Sequence, residues 1–406
     1  MTVRSTARAA VVGTVSLAVG TLLLVPVSPA AASHAEPRPP RPMSADSPLL
    51  DRGGTQVRLR QEAPALPGSV SALSWLVADA DTGEVLAARD AHRRLPPAST
   101  LKALFAVTVL PNLPGGLSHK VAEAELAEVG DGSSLVGVIA GRTYRAADLW
   151  RGVFLSSGND AVHVLAEMNG GWQRTAEQME AKARALGARD TRVVSPDGYD
   201  APGQVSSAYD LAVFGRAGLR DPEFARYSGT AVAQFPGDGW SYAIQNTNRL
   251  LTGADGVGVY PGIIGVKNGY TSKAGHTLIA AARRAGRTLV VSVMNPQAGG
   301  GRAVYTEARS LLDWGFAAAG RVSPVGSLRP PAPKAGPEAP EVLPAVARTE
   351  AKGGSVWPAV GALVGALCLA AAVAALLRRG RLGRLGRHGR LGWLGRRGRH
   401  AGVRRG

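Results

Sequence analysis

The stretch Pro96-Pro97-Ala98-Ser99-Thr100-Leu101-Lys102 is followed by the apolar run Ala103-Leu104-Phe105-Ala106-Val107. A residue before a proline avoids helical geometry, so the two prolines end the preceding segment, and the serine or threonine after them predicts a helix start. Ser99 and Lys102 are three residues apart and would share one face of that helix. A lysine with a lowered pKa can take the proton of a neighbouring serine hydroxyl and activate it as a nucleophile. A capped helix with a solvated lysine has the same pattern, so the rest of the chain has to distinguish the two interpretations.

Composition places the basic charge of this chain in one segment. The 406 residues are enough for one large domain or two to three small ones, and 45% of them are hydrophobic, which is ample for a core. The formal charge is +17, of which eleven arginines from Arg378 onward carry +11 with no acid among them, leaving +6 for everything before. Basicity is therefore a property of the tail, and no nucleic-acid partner is expected. The single cysteine, Cys368, lies in an apolar run, so disulfides and cysteine metal sites are not expected.

The N-terminal segment has the parts of a secretory signal. Arg4 and Arg8 precede an uncharged, largely apolar run, and small residues at 30–32 suit a signal peptidase. Residues 1–32 are therefore predicted to be a signal peptide, with an uncleaved anchor as the alternative. Residues 33–70 are rich in proline and charge and predict a loosely packed lead-in.

The C-terminal segment has the pattern of a membrane anchor. A Pro/Ala-rich linker is predicted at 321–355, followed by an uncharged apolar run of just over twenty residues at 356–377. Such a run spans a hydrocarbon core of ~30 Å, with a buried soluble helix as the alternative. The Arg/Gly-rich tail at 378–406 would lie in the cytoplasm against anionic lipid, which places the preceding domain outside a single-pass cell-membrane anchor.

The segment 71–320 predicts one folded domain of the α/β (α+β) class. Apolar runs at 73–78 and 84–88 flank one turn and those at 277–281 and 288–293 flank another, so each pair predicts a β-hairpin. The segment 265–271 begins as a short apolar edge and breaks at a glycine. Apolar residues at helical spacing predict helices at 147–154, 161–168, 172–186 and 303–316, and a further helix opening at 206–210. We expect one antiparallel sheet built from both ends of the domain and flanked by helices, with a mainly helical subdomain beside it.

Three short motifs occur in a specific order: Ser99-Thr100-Leu101-Lys102, Ser157-Gly158-Asn159 and Lys267-Asn268-Gly269. Taken singly, the second is explained by a turn with a helix cap and the third by a solvated edge-strand lysine. Together they resemble the penicillin-binding protein and serine β-lactamase superfamily, whose signature is S-x-x-K, S-x-N and K-T-G. The wider stretches 97–102, 155–161, 246–251 and 265–271, with the export signal and C-terminal anchor, resemble the serine-type D-alanyl-D-alanine carboxypeptidase family over roughly residues 72–316.

That resemblance implies a β-lactamase/transpeptidase-like fold, with two catalytic groups from the first motif and one from the second. Ser99 would be the nucleophile, favoured by the positive end of a helix dipole, and Lys102 the general base. Ser157 would relay a proton to the leaving amine. Lys102 can be neutral only if burial and a second cation lower its pKa, and Lys267 is the candidate for that cation.

The remaining predicted residues would bind substrate. Asn159 offers an amide for the Lys102 amine and a substrate carbonyl, and Lys267 would attract a substrate carboxylate. The resemblance implies an oxyanion hole formed by the backbone N–H groups of Ser99 and Tyr270. Thr271 is expected to help bind the terminal carboxylate. The substrate-binding set is therefore Asn159, Lys267, Asn268, Gly269, Tyr270 and Thr271.

One position departs from the signature. Asn268 stands where the third motif has threonine or serine, so a hydroxyl donor is replaced by a larger amide that donates from a different position. Carboxylate binding and β-lactam affinity both depend on how that amide is held. Some family members carry a basic residue within the Asn-x-Asn stretch, where this chain has Thr247, and Arg249 is the candidate substitute.

The implied function is removal of the terminal D-alanine from peptidoglycan pentapeptides, with β-lactams as inhibitors and with neither cofactor nor metal. A β-lactamase is one alternative, but no E-x-x-L-N loop that would activate water occurs between residues 157 and 267. A penicillin-binding receptor that acylates without turnover is another. A Ser-His-Asp hydrolase lacks a G-x-S-x-G elbow, and His163 with Glu167 lacks the H-E-x-x-H spacing of a zinc peptidase.

Overall fold

The computed structural model describes residues 48–330 of the chain. Its strands are β1 Thr55–Leu59, β2 Ser74–Asp79, β3 Glu84–Arg89, β4 Ser118–Lys120, β5 Thr143–Arg145, β6 Val232–Pro236, β7 Ser241–Gln245, β8 Ile263–Thr271, β9 Gly275–Arg284, β10 Arg287–Met294, β11 Val322–Ser323 and β12 Gly326–Ser327. Its α-helices are α1 Lys102–Val109, α2 Ala146–Leu155, α3 Asn159–Met168, α4 Trp172–Ala185, α5 Ala208–Gly218, α6 Pro222–Ser228, α7 Arg249–Thr252 and α8 Ala303–Ala318.

A single antiparallel sheet organises the domain, in the order β11-β1-β3-β2-β10-β9-β8, with β12 also paired to β3. Both predicted hairpins are present as β2–β3 and β9–β10, and they meet where Val77 pairs with Val291. The prediction that the sheet is built from both ends of the domain is therefore confirmed. β8 lies at the edge next to β9, which leaves its outer side available to the helical part of the domain.

The central strands of the sheet are buried on both faces, because helices cover each face. Successive strand residues point to opposite faces, so Leu76 packs into the core under α1 and α5, while Val77 packs into the core under α8. Helices α2, α3, α4 and α6 extend the first core into the predicted helical subdomain. The two layers hold β8 and α1 in a fixed relation to each other.

The folded domain extends beyond residues 71–320 on both sides, which corrects two predicted boundaries. Strand β1, inside the predicted lead-in, pairs with β3 and with β11. Strands β11 and β12 lie at the start of the predicted linker. β1 has five residues, and β11 and β12 have two each, so their side chains give a weak pattern. Backbone hydrogen bonds to the neighbouring strands hold them in place.

Two local predictions also need correction. The segment 265–271 does not break at its glycine, because β8 keeps pairing with β9 through Gly269 to Thr271. The predicted cap at the start of the first helix is absent: Ala98–Leu101 is a 3-10 turn, and the Thr100 hydroxyl donates to the carbonyl of Pro97 instead. The other predicted helices are confirmed, and Ser207 caps α5 by accepting from the backbone N–H of Asp210.

The predicted signal peptide (1–32), the apolar run (356–377) and the tail (378–406) lie outside the described residues, as do residues 33–47 of the lead-in and 331–355 of the linker. Within residues 48–330, none of the helices combines the length and apolar character that a bilayer crossing requires.

Candidate active site

The predicted nucleophile and base are in direct contact. Ser99 occupies the 3-10 turn Ala98–Leu101, and Lys102 is the first residue of α1. The Ser99 hydroxyl oxygen accepts a 2.9 Å hydrogen bond from the Lys102 Nζ. The three-residue spacing thus places the two groups on one side of a single helical turn.

Lys102 is buried, with 1% of its surface exposed, and its amine is surrounded by hydrogen-bond acceptors. Its amine also donates to the carboxamide oxygen of Asn159 at 2.6 Å and to the backbone carbonyl of Asp197 at 2.5 Å. Burial lowers the pKa of Lys102 to about 8, against the opposing effect of the Asp197 and Asp160 charges. About a tenth of the amine is then neutral at pH 7, so it can accept a proton from Ser99.

Strand β8 brings a second buried amine to the same place. Lys267 is fully buried, and its Nζ donates to the backbone carbonyl of Asn268 at 2.8 Å. Burial, and then the facing charge of Lys102, hold the pKa of Lys267 well below its usual value. Protonation of either amine therefore disfavours protonation of the other.

The second motif forms the turn between α2 and α3. Asn159 is the first residue of α3, and both polar atoms of its carboxamide form hydrogen bonds. The oxygen accepts from the Lys102 amine, and the nitrogen donates to the Ser133 hydroxyl at 3.0 Å. Ser157 has a left-handed φ of 58°, and its buried hydroxyl has no hydrogen-bond partner among the described residues. A buried polar group without a partner is unusual, and this one is available to a ligand.

Gly269 allows β8 to pack against the backbone of the nucleophile. A Cβ built on Gly269 would lie 2.7 Å from the backbone nitrogen of Ser99 and 3.0 Å from the Cβ of Ala98. Only glycine permits this approach. It carries Tyr270, the other residue of the implied oxyanion hole, toward Ser99.

The side chain of Asn268 lies on the opposite face of β8 from Lys267, as strand alternation requires. Its carboxamide oxygen accepts a 3.0 Å hydrogen bond from the Thr247 hydroxyl. Asn268, Thr247 and Arg249 line a common cavity of about 430 Å³. Arg249 is not free there, because its guanidinium forms a 2.7 Å ion pair with Asp255 and donates to the Gly301 carbonyl.

The hydroxyl of Thr271, the residue expected to help bind the terminal carboxylate, forms hydrogen bonds within the protein. Its hydroxyl donates to Asp200 at 2.8 Å and accepts from the backbone N–H of Ala274 at 3.1 Å. In this arrangement the Thr271 proton is bound by Asp200, and the role of Thr271 in binding the terminal carboxylate stays a prediction.

The loop Ser195-Pro196-Asp197-Gly198-Tyr199 also contributes to the site, although it belongs to none of the three motifs. Asp197 supplies the carbonyl that binds the Lys102 amine. Gly198 has a φ of +84°, and a Cβ there would lie 2.2 Å from the carbonyl oxygen of Ala98. A Pro-Asp-Gly sequence favours a turn. Its contact with a helix 95 residues away was not predictable from local pattern.

These elements surround a cavity of about 460 Å³ whose lining includes Ser99, Ser133, Asn159, Asp200 and Tyr270. Tyr270 and Thr271, the last two residues of the edge strand β8, line this cavity together with Ser99. The backbone of an edge strand can pair with an extended peptide. Among residues 48–330, no cluster of His, Cys, Asp or Glu has the geometry to hold a metal ion. The arrangement suits nucleophilic attack by Ser99 on a carbonyl, with Lys102 taking the proton.

Comparison with known proteins finds similarity to D-alanyl-D-alanine carboxypeptidases. The sequence profile described as D-alanyl-D-alanine carboxypeptidase matches residues 59–298. The chain is 43% identical over 260 residues to the D-alanyl-D-alanine carboxypeptidase DacB2 of Mycobacterium tuberculosis, covering 63% of this chain and 86% of that protein. It is 36% identical to DacD of Escherichia coli, covering 61% of this chain and 64% of that protein.

A solved structure shows the same fold. The crystal structure of a D-alanyl-D-alanine carboxypeptidase from M. tuberculosis superposes with a TM-score of 0.60 at 39% identity. The match covers 66% of this chain and 99% of the solved one. The similarity therefore extends across essentially the whole of that protein.

Proposed function

The chain belongs to the D-alanyl-D-alanine carboxypeptidase family of serine peptidases, and we therefore propose that it removes the terminal D-alanine from peptidoglycan stem peptides through an acyl-enzyme on Ser99. It is a hydrolase of cell wall metabolism. The observation that carries the proposal is the 2.9 Å contact between the Ser99 hydroxyl and a buried Lys102 amine with a pKa of about 8.

Acylation begins with Lys102 taking the Ser99 proton as the oxygen attacks the penultimate D-alanine carbonyl. The oxyanion is bound by the backbone N–H groups of Ser99 and Tyr270, and loss of one such donor typically costs about 3 kcal/mol. The buried, unpartnered hydroxyl of Ser157 supports its role as the relay that carries the proton to the leaving amine. D-Alanine departs, and water then hydrolyses the ester.

Side chains of the second and third motifs orient the bound peptide. Lys267 attracts the terminal carboxylate, and the amide of Asn268 replaces the hydroxyl donor of the family signature. Asn159 donates to a carbonyl of the bound peptide with the amide hydrogen that Ser133 does not use. Thr271, at the end of β8, helps to bind the same terminal carboxylate.

β-Lactams enter the proposal as inhibitors that acylate Ser99, since the three motifs are those of the penicillin-binding superfamily. The full-length protein should release D-alanine from a pentapeptide and be labelled by a fluorescent penicillin, and both signals should vanish in Ser99→Ala. Labelling without any D-alanine release would instead support a receptor that does not turn over.

The location of the catalytic domain is a separate proposal, supported by sequence pattern alone. We propose that residues 1–32 direct export and that residues 356–377 anchor the chain in the cell membrane, with the tail at 378–406 on anionic lipid inside. The test compares the full chain with a chain ending at residue 330. The full chain should sediment with membranes and be cleaved by external protease in intact cells, whereas the shorter chain should be soluble outside the cell.

A further inference from the structure

One buried carboxylate next to the site gathers backbone donors from two segments. Asp160, 4% exposed, is the second residue of α3. Its oxygens accept from the backbone N–H groups of Val136 at 3.0 Å, Gly137 at 2.8 Å, Val138 at 2.9 Å and Ala161 at 2.9 Å. Hydrogen bonds to an ionised acceptor are the stronger kind, so this carboxylate ties a loop firmly to the start of α3.

The loop held by Asp160, residues 133–138, is called here the cleft loop. Its Ser134 carbonyl accepts from the backbone N–H of Asn159 at 2.8 Å, and its Ser133 hydroxyl accepts from the Asn159 side-chain nitrogen at 3.0 Å. With the amide nitrogen tied to Ser133, the amide oxygen is turned to the Lys102 amine at 2.6 Å. A continuous set of contacts thus runs from Asp160 to the predicted base.

The space around these contacts is closely filled. A Cβ on Gly158 would lie 2.6 Å from the Asp160 carboxylate and 3.1 Å from the Val136 side chain. A Cβ on Gly152 would lie 2.6 Å from Val136. Two glycines therefore form the notch in which the cleft loop is seated, and the loop has little freedom to shift while its bonds to Asp160 remain.

We propose that Asp160 is a positioning residue for acylation, which holds the cleft loop so that the Asn159 carboxamide keeps the Lys102 amine directed at Ser99. The inference rests on the proposed function, because it takes Lys102 as the general base. The Asp160 carboxylate accepts from backbone N–H groups of the protein, so it acts through Asn159 and not on the substrate.

Asp160 also acts on Lys102 through its charge. The titratable groups around the Lys102 amine are Lys267 from β8, Asp197 from the loop after α4 and Asp160 from α3. The negative charge of Asp160 raises the pKa of Lys102 against the effect of burial. Removing that charge while keeping the shape of the side chain should therefore let the base work at lower pH, a change that a purely structural role would not produce.

The test uses the full-length protein as wild type, Asp160→Asn, Ser133→Ala and the double variant. D-Alanine release from a pentapeptide is followed from about pH 5 to pH 9 to obtain kcat and KM. We expect Asp160→Asn to lower plateau kcat about 10- to 100-fold with little change in KM, because the base is misplaced. The acidic limb of kcat/KM should move to lower pH. Ser133→Ala should also lower kcat, and the double variant should lose less than the product of the two losses.

A matched control is available on the other face of the sheet. Glu307, also 4% exposed, accepts from the backbone N–H groups of Ser71 and Ala72. Glu307→Gln removes a similarly buried, backbone-binding carboxylate and should leave the position of the acidic limb unchanged.

An Asp160→Asn profile that keeps the wild-type limb, or losses that multiply in the double variant, would overturn the proposal. If Asp160→Asn does not fold, Ser133→Ala alone decides, and an unchanged kcat there contradicts the proposal. Absence of D-alanine release by the wild type would instead refute the proposed function, so the two failures are distinguishable.

Discussion

The Thr247 hydroxyl donates a 3.0 Å hydrogen bond to the carboxamide oxygen of Asn268. This contact joins the Asn-x-Asn stretch to the third motif at the position where this chain departs from the family signature. Because the oxygen is engaged by Thr247, the amide N–H groups of Asn268 are the groups left to meet a ligand. Thr247 and Asn268 thus form a pair, in which one residue orients the donor that the other supplies.

We expect Thr247→Val to raise KM for a pentapeptide about three- to tenfold with little change in kcat, since one orienting hydrogen bond is worth about 1 kcal/mol. In an Asn268→Thr background, the same substitution should change KM much less. Steady-state D-alanine release by the four proteins measures the coupling. Equal effects of Thr247→Val in both backgrounds would contradict the pairing. Thr108→Val, which removes a hydroxyl that donates to the Leu104 carbonyl within α1, is the control that should leave KM nearly unchanged.

The pH dependence of acylation should report Lys102. Its neutral form is the active one, and its pKa is lowered to about 8, so kcat/KM should fall about tenfold per pH unit below that value and level off above it. The rate of Ser99 labelling by a fluorescent penicillin, measured across this range, should follow the same limb. A labelling rate independent of pH between about 6 and 8 would rule out Lys102 as the base.

Lys267→Met should reduce activity and stabilise the fold. The folded state disfavours the charged amine, so between its lowered folded-state pKa and the unfolded-state value near 10.5 the unfolded chain binds more protons than the folded one. Wild-type stability attributable to this group therefore increases as pH rises toward that value. We expect the variant to gain about 1 kcal/mol in free energy of unfolding at neutral pH.

Thermal unfolding of wild type and Lys267→Met at several pH values measures this effect. The gain in Tm should shrink as the pH rises, because the unfolded wild-type chain then loses its proton too. A variant that is less stable than wild type at neutral pH would show that the Lys267 hydrogen bond to Asn268 outweighs the cost of burying the amine.

Gly269→Ala should block acylation more than it destabilises the domain. The added Cβ would lie 2.7 Å from the backbone nitrogen of Ser99, so β8 has to move away from the nucleophile. We expect penicillin labelling to slow about 100-fold or more, as expected when an oxyanion donor is displaced. Gly68→Ala is the matched control, because a Cβ at Gly68 meets nothing within 4 Å. Comparable labelling by both variants would argue against the tight approach of β8.

The sequence predicts those parts of the fold that have a local pattern of apolar residues. The hairpins β2–β3 and β9–β10 follow from apolar runs flanking turns, and α2, α3, α4 and α8 follow from helical spacing. The strands β1, β11 and β12 were missed. β1 and β12 pair with β3, and β11 pairs with β1, so backbone hydrogen bonds hold these short strands and their side chains give little signal.

The sequence by itself determined the contact between Ser99 and Lys102, because three residues along one helical turn bring any two side chains to one side. It also located the other two motifs by their order. Only the tertiary structure decided what surrounds the Lys102 amine: the Asp197 carbonyl, and the Asn159 carboxamide oriented by Ser133 of the loop that Asp160 holds. Likewise it assigned the Thr271 hydroxyl to Asp200 and paired Thr247 with Asn268. These partners lie far apart along the chain, and no local periodicity encodes a contact that forms only when separate layers pack together.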